Sequence, residues 1–116
     1  MSDIRAEVDT TVLVVLTTLP DAGSAEALAV QLLEERLVAC ANVLPGAQSV
    51  YRWKGEIRSD QEAVVILKTT HASLRELERR LPELHPYEVP EVIALDVVGG
   101  LDRYLSWVRA ETGGAA

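Results

Sequence analysis

The sequence predicts an α+β sandwich, with strands and helices in the order βαββαβ and a terminal helix after them. Three observations carry this expectation. Residues 11–18 and 92–98 are runs rich in β-branched apolar side chains, the pattern of strands buried on both faces. Two stretches between those runs repeat leucine and alanine at helical spacing. Residues 38–70 hold two long strand-like arms that meet at Lys54-Gly55. Two helices over one face of a four-stranded sheet in this order give the ferredoxin-like split βαβ arrangement, here with an unusually long projecting hairpin.

Each element has its own signals. The first strand is broken by Pro20, Asp21 and Gly23. Ala25, Leu28, Ala29, Leu32 and Leu33 then form an apolar stripe, with Ser24 as the expected N-cap and Glu26 in the first turn. Strand character runs over 38–44, pauses at Pro45-Gly46 and resumes at once over 47–54, which predicts a bulge rather than a strand end. After the Lys54-Gly55 turn the chain returns through 57–70. Ser73-Leu74-Arg75-Glu76 matches a capping box, and Leu74, Leu77, Leu81 and Leu84 make the second stripe. Pro82 is expected to end or kink that helix near Leu81. A buried strand over 92–98 closes at Gly99-Gly100, and Asp102 is the expected cap of a last helix with the stripe Leu101, Tyr104, Leu105 and Val108. Residues 1–10 and 113–116 are expected to be loose, leaving one domain over 11–112.

Composition excludes several classes. With 116 residues and 48% hydrophobic content, the chain has the makings of one globular core. No apolar run approaches the ~20 residues of a membrane span. Residues 1–7 show neither the basic nor the apolar region of a secretory signal. Cys40 is the single cysteine, so an intramolecular disulfide is impossible, and the cytoplasm is the expected compartment. A net charge of -7 disfavours a nucleic-acid partner and favours cations.

The hairpin is too long for its domain. An arm over 38–54 spans roughly 50 Å at ~3.3 Å per residue. A domain of about 100 residues has a radius of gyration near 13 Å, hence a diameter of roughly 35 Å. The projecting part carries Val50, Tyr51 and Trp53. Left in water they would expose an apolar, edge-stranded surface, so the hairpin predicts self-association with these residues at the interface.

The densest chemistry lies in His85-Pro86-Tyr87-Glu88-Val89-Pro90-Glu91, where a helix gives way to a strand. Each proline fixes its own φ and restricts the residue before it, holding the polar groups on stiff backbone. His85 has two readings: a copper or zinc ligand through neutral imidazole, or a helix-terminal histidine bonding free carbonyls. Cys40 reads as a small buried hydrophobe or as a thiol ligand or nucleophile. Glu88 and Glu91 read as cation-binding or as solvated turn carboxylates. Trp53 and Tyr51 suit either an interface or the face of a planar ligand.

Several segments together resemble the CutA family, named for divalent-cation tolerance. They are Thr17-Thr18, Leu37-Val38-Ala39-Cys40-Ala41-Asn42-Val43, Tyr51-Arg52-Trp53-Lys54-Gly55-Glu56-Ile57, Leu67-Lys68-Thr69-Thr70, the His85-to-Glu91 motif and Tyr104-Leu105-Ser106-Trp107-Val108. The resemblance runs from about 12 to 110 and implies a ferredoxin-like homotrimer whose hairpins wrap onto neighbours. It implies an association with copper, as Cu(II), or another divalent cation, no organic cofactor and no reaction. It also implies a likeness to the trimeric PII signalling proteins, hence a ligand-sensing or partner-docking role. Family members proposed to bind copper carry a Cys late in the first strand and a second His before the His-Pro-Tyr motif; here Thr17 and Leu84 stand there, leaving His85.

The expectation is therefore a cytoplasmic, non-catalytic homotrimer that binds a divalent metal or small molecule. Asn42, Glu62, Lys68 and Tyr87 are expected to line an intersubunit cleft, with His85, Glu88 and Cys40 as candidate metal ligands. The rival is a small enzyme using Cys40, Lys68, His85 and Glu88 for acid–base or thiol chemistry.

Overall fold

The computed structural model describes residues 10–113. The elements are β1 (Val12–Leu19), α1 (Ala22–Glu34), β2 (Cys40–Trp53), β3 (Glu56–Thr70), α2 (His71–Leu84), β4 (Ile93–Asp96) and α3 (Asp102–Glu111). The strands form one antiparallel sheet in the order β2-β3-β1-β4, the ferredoxin-like order expected from βαββαβ. The molecule measures 54 × 26 × 26 Å. The long axis comes from the hairpin: β1 pairs with β3 only as far as Leu19 opposite Ala63, so among the described residues the β2–β3 ribbon beyond it has no third strand.

Strand alternation divides the side chains between two faces. Leu13, Val15 and Leu19 of β1 and Val65 and Leu67 of β3 are buried. Within that set Val15, Leu19, Val65 and Leu67 pack in one core with Leu28 and Leu32 of α1 and Leu77 and Leu81 of α2. The other face is covered only at one end, where Val108 of α3 packs with Val12 and Ala39. The rest of it, with Val14, Leu16, Val64 and Ile66 half-buried and Leu44 exposed, has no layer over it among the described residues.

Local chemistry explains the joints. Lys54 and Gly55 both take positive φ, 49° and 80°, as a two-residue hairpin turn of right-handed twist requires. The expected bulge is present: pairing shifts between Leu44 and Ala47, with Gly46 at φ 77°. This one-residue slip reverses which β2 side chains face the open side, and it brings Tyr51 and Trp53 to the same face as Glu62.

Several boundaries differ from the sequence reading. Asp21, not Ser24, caps α1, its carboxylate accepting the Ser24 N–H at 2.7 Å. Helix α2 begins at His71 with Thr70 as cap, so Ser73 lies buried in the first turn and forms no capping box. Leu101 rather than Asp102 caps α3. Pro82 does not end α2, which continues to Leu84. Its missing N–H falls in the last turn and forfeits one bond there, while the buried Leu81 holds the helix to the core. The last strand is four residues long and exposed, not a buried run over 92–98, because it is an edge paired only with β1. Strand β2 starts at Cys40 rather than 38. Of the segments expected to be loose, only Thr10 and Gly113 fall within the described residues. Thr10 accepts a 2.8 Å bond from Arg109 Nε, and Gly113 donates to the Arg36 carbonyl at 2.8 Å.

Thr17 is fully buried and its Oγ1 has no hydrogen-bond partner among the described residues. Because an unsatisfied buried hydroxyl costs about 1–3 kcal/mol, Thr17→Val, which keeps the shape and removes the oxygen, is expected to raise stability by up to that amount. Thermal denaturation of the two proteins checks it; an unchanged or lower midpoint counts against it.

Candidate functional site

The site grows from the junction of α2 with the proline-flanked loop. The His85 backbone N–H bonds back to the Pro82 carbonyl at 3.3 Å, while the ring leaves the helix and enters the fold. His85 is only 8% exposed. Its Nε2 lies 2.8 Å from the Thr18 carbonyl oxygen, and its Nδ1 accepts the Tyr87 N–H at 3.1 Å. A carbonyl can only accept and a backbone amide can only donate, so the proton sits on Nε2 and the Nδ1 lone pair faces Tyr87. Burial pushes the imidazole pKa down, against the Thr18 bond and the Glu62 charge that pull it up. The ring is neutral and tethers the loop to β1.

Tyr87 extends the chain of contacts. Its ring lies 4.9 Å from that of His85, and its hydroxyl donates to Glu62 Oε2 at 2.6 Å. Desolvation and the Glu62 carboxylate push the phenol well above its ordinary pKa, so it keeps its proton as a donor. On the neighbouring hairpin rung, the Tyr51 hydroxyl donates to Asp60, and that phenol is raised too, chiefly by the bond. Between hairpin and loop lies a cavity of about 640 Å³, with Tyr51, Trp53 and Glu62 on one side and Tyr87, Glu88 and Glu91 on the other.

A second polar group occupies the far end of the open face, beside α3. Lys68 Nζ is 3.8 Å from Cys40 Sγ and bonds Asn42 Oδ1, which also lies 3.9 Å from the sulfur. Tyr104 of α3 borders it, its phenol pKa raised by burial and then by Cys40. Cys40 is half-buried rather than sealed in the core.

The expected cleft set is thus divided within one chain. Glu62 and Tyr87 bond each other, and Asn42 and Lys68 bond each other. Glu62 and Lys68 stand six residues apart on β3, roughly 20 Å at ~3.3 Å per residue. His85 is anchored at Thr18, opposite Val64, four residues or roughly 13 Å along β3 from Lys68, and Glu88 borders the cavity with Glu62, so the acid–base set of the enzyme reading is not assembled in one chain. Among the described residues no three His, Cys, Asp or Glu side chains come together as a metal site. His85, with both nitrogens bonded, offers a metal no free lone pair. On the hairpin Val50 is 66% exposed and Ile57 71%, on the face opposite Tyr51 and Trp53. Sequence reasoning named Val50 but passed over Ile57, whose signal was an apolar side chain directly after a turn. It also missed the Thr18 carbonyl, since any residue supplies a backbone oxygen.

A family profile described as "CutA1 divalent ion tolerance protein" matches residues 13–111. A divalent-cation tolerance protein CutA of Thermus thermophilus is 47% identical over 100 residues, covering 86% of this chain and 97% of the relative. The chloroplastic CutA protein of Arabidopsis thaliana is 42% identical over 86% of this chain, which spans 55% of that longer protein. The crystal structure of CutA from Xylella fastidiosa superposes with a TM-score of 0.86 at 43% identity, covering 89% of this chain and 99% of that one. With residues 13–111 matched by the family profile and 86–89% of the chain matched by these relatives, the chain belongs to the CutA family of divalent-ion tolerance proteins.

Proposed function

We propose that this protein works in divalent-cation tolerance as a homotrimer that binds a ligand at clefts between its copies and catalyses no reaction. The observation that carries the reading is the sheet face left open by α3. Val14, Leu16, Leu44, Val64 and Ile66 make it apolar, and the unpaired ribbon continues it outward through Tyr51 and Trp53. A single chain gains nothing by presenting such a face to water, whereas copies packed face to face bury it. Three copies close a ring around it, with each hairpin, through Val50 and Ile57, reaching a neighbour.

The cavity beside Tyr87 then lies at the seam, bordered by hairpin residues that the neighbour approaches. The overall charge of -7 favours a cationic ligand there. Copper through His85 fits this geometry poorly, because the soft donor Cys40 is remote and the imidazole is fully bonded. Glu62, Glu88 and Glu91 border that cavity with hard oxygen donors of the kind hard cations prefer, but among the described residues they are not gathered into a three-ligand metal set within one chain. No helix among the described residues is long and apolar enough to cross a membrane; the lone Cys40 fits a reducing compartment such as the cytoplasm.

Native mass spectrometry of freshly purified protein tests the reading, since it reports stoichiometry and retained ligand together. A trimer is expected. A monomer at micromolar concentration overturns it.

A further inference from the structure

We propose that the cavity beside Tyr87 takes an organic ammonium cation, held over aromatic faces and against carboxylates. The inference rests on the reading of this cleft as the ligand site and names its ligand class.

Volume gives the first reason. At about 640 Å³ the cavity has the size of sites for small organic molecules and far exceeds a bare metal ion. The lining gives the second. Trp53, Tyr51 and Tyr87 border one space, and aromatic faces carry negative potential that attracts cations. Both phenols donate to carboxylates, Tyr87 to Glu62 at 2.6 Å and Tyr51 to Asp60. Donation of this kind moves electron density toward the ring and strengthens its attraction for a cation. Trp53 already carries one cation of this class, the Lys54 ammonium 5.8 Å from its ring centroid.

Charge gives the third reason. Among the described lining residues Glu62, Glu88 and Glu91 stand against one cation, Arg58, which lies 3.6 Å from Glu56, while the Lys54 ammonium reaches the Trp53 ring from outside the lining. Anionic and phosphorylated ligands are therefore repelled. A neutral apolar ligand would desolvate these carboxylates without supplying a counter-charge. An ammonium satisfies them with N–H donors while its carbon body covers the rings. The placement is local in origin: without the slip at Pro45-Gly46, Tyr51 and Trp53 would face away from Glu62.

The test compares phenethylammonium with 2-phenylethanol, its neutral counterpart, by titration calorimetry in low-salt sodium buffer. The same samples are run in a sedimentation experiment. The amine is expected to bind at least tenfold more tightly than the alcohol. Glu62→Gln, which can still accept the Tyr87 hydroxyl, is expected to weaken the amine at least tenfold and leave the alcohol unchanged. Equal affinity for the two compounds, or an unchanged amine affinity in Glu62→Gln, overturns the inference. So does the absence of amine binding by an assembled protein, which would mean that a neighbouring copy fills the cavity. A monomeric protein that still prefers the amine would refute the trimer and leave this inference standing, because every residue invoked belongs to one chain.

Discussion

Leu44→Asp is expected to break the proposed trimer into folded monomers. Leu44 is 46% exposed in the single chain and sits opposite Val64 on the open face. In an isolated chain the new carboxylate meets water, so the fold loses little. In the assembly each copy would bury an uncompensated charge at the seam, at a cost of about 3–5 kcal/mol apiece. The copies would also repel one another wherever their carboxylates approach. Sedimentation equilibrium should show the monomer mass while far-ultraviolet circular dichroism stays that of the parent. Val30→Asp supplies the control, being 45% exposed on α1, away from the open face, and should leave assembly intact. A Leu44→Asp trimer as stable as the parent would place the interface elsewhere on the molecule.

His85→Ala is expected to destabilise the chain by about 2–4 kcal/mol, through a lost buried ring and two lost hydrogen bonds. The variant leaves the Thr18 carbonyl and the Tyr87 N–H without their partner and removes the ring contact with Tyr87. The effect should depend on pH. Burial lowers the folded-state pKa of His85, so the stability it contributes is present above the unfolded value of about 6.5. That contribution is lost as pH falls through the lower folded pKa. Protonation would also place an Nδ1–H against the Tyr87 N–H, two donors facing each other. The stability gap between parent and variant, measured by urea denaturation, should therefore be widest above pH 7 and narrow toward pH 5. A gap independent of pH would mean that the imidazole acts only by packing.

The origin of these contacts explains how much was legible beforehand. The strand runs, the two leucine stripes, the Lys54-Gly55 turn and the slip at Pro45-Gly46 are local events. Side-chain periodicity and the φ preferences of a few residues decide them, and the linear sequence displays both. The ferredoxin-like order follows from these elements, because few ways exist to lay two helices on one face of such a sheet.

Caps were less legible. Asp21 and Ser24 both have capping side chains three residues apart; which one caps depends on where β1 releases the chain. The end of α1 shows the same limit. Arg36 takes φ 58°, a conformation more usual for glycine, and sends its guanidinium to the carbonyls of Ala110 and Gly113 at 2.9 and 3.0 Å. Those partners lie more than seventy residues away, and no local pattern announces them.

Residue type and near neighbours were enough for the strand and helix order and for the long hairpin, though not for the extent of β4, which is Ile93–Asp96. What the His85-to-Glu91 loop does depends on contacts made across the fold. The tertiary structure set the His85 ring on the Thr18 carbonyl 67 residues away, joined Tyr87 to Glu62, and moved Lys68 and Cys40 to the opposite end of the face. Backbone acceptors are identical at every residue, and a face is defined only when strands pair. The identity of the site therefore lay in register and crossover, which residue types constrain but do not spell out.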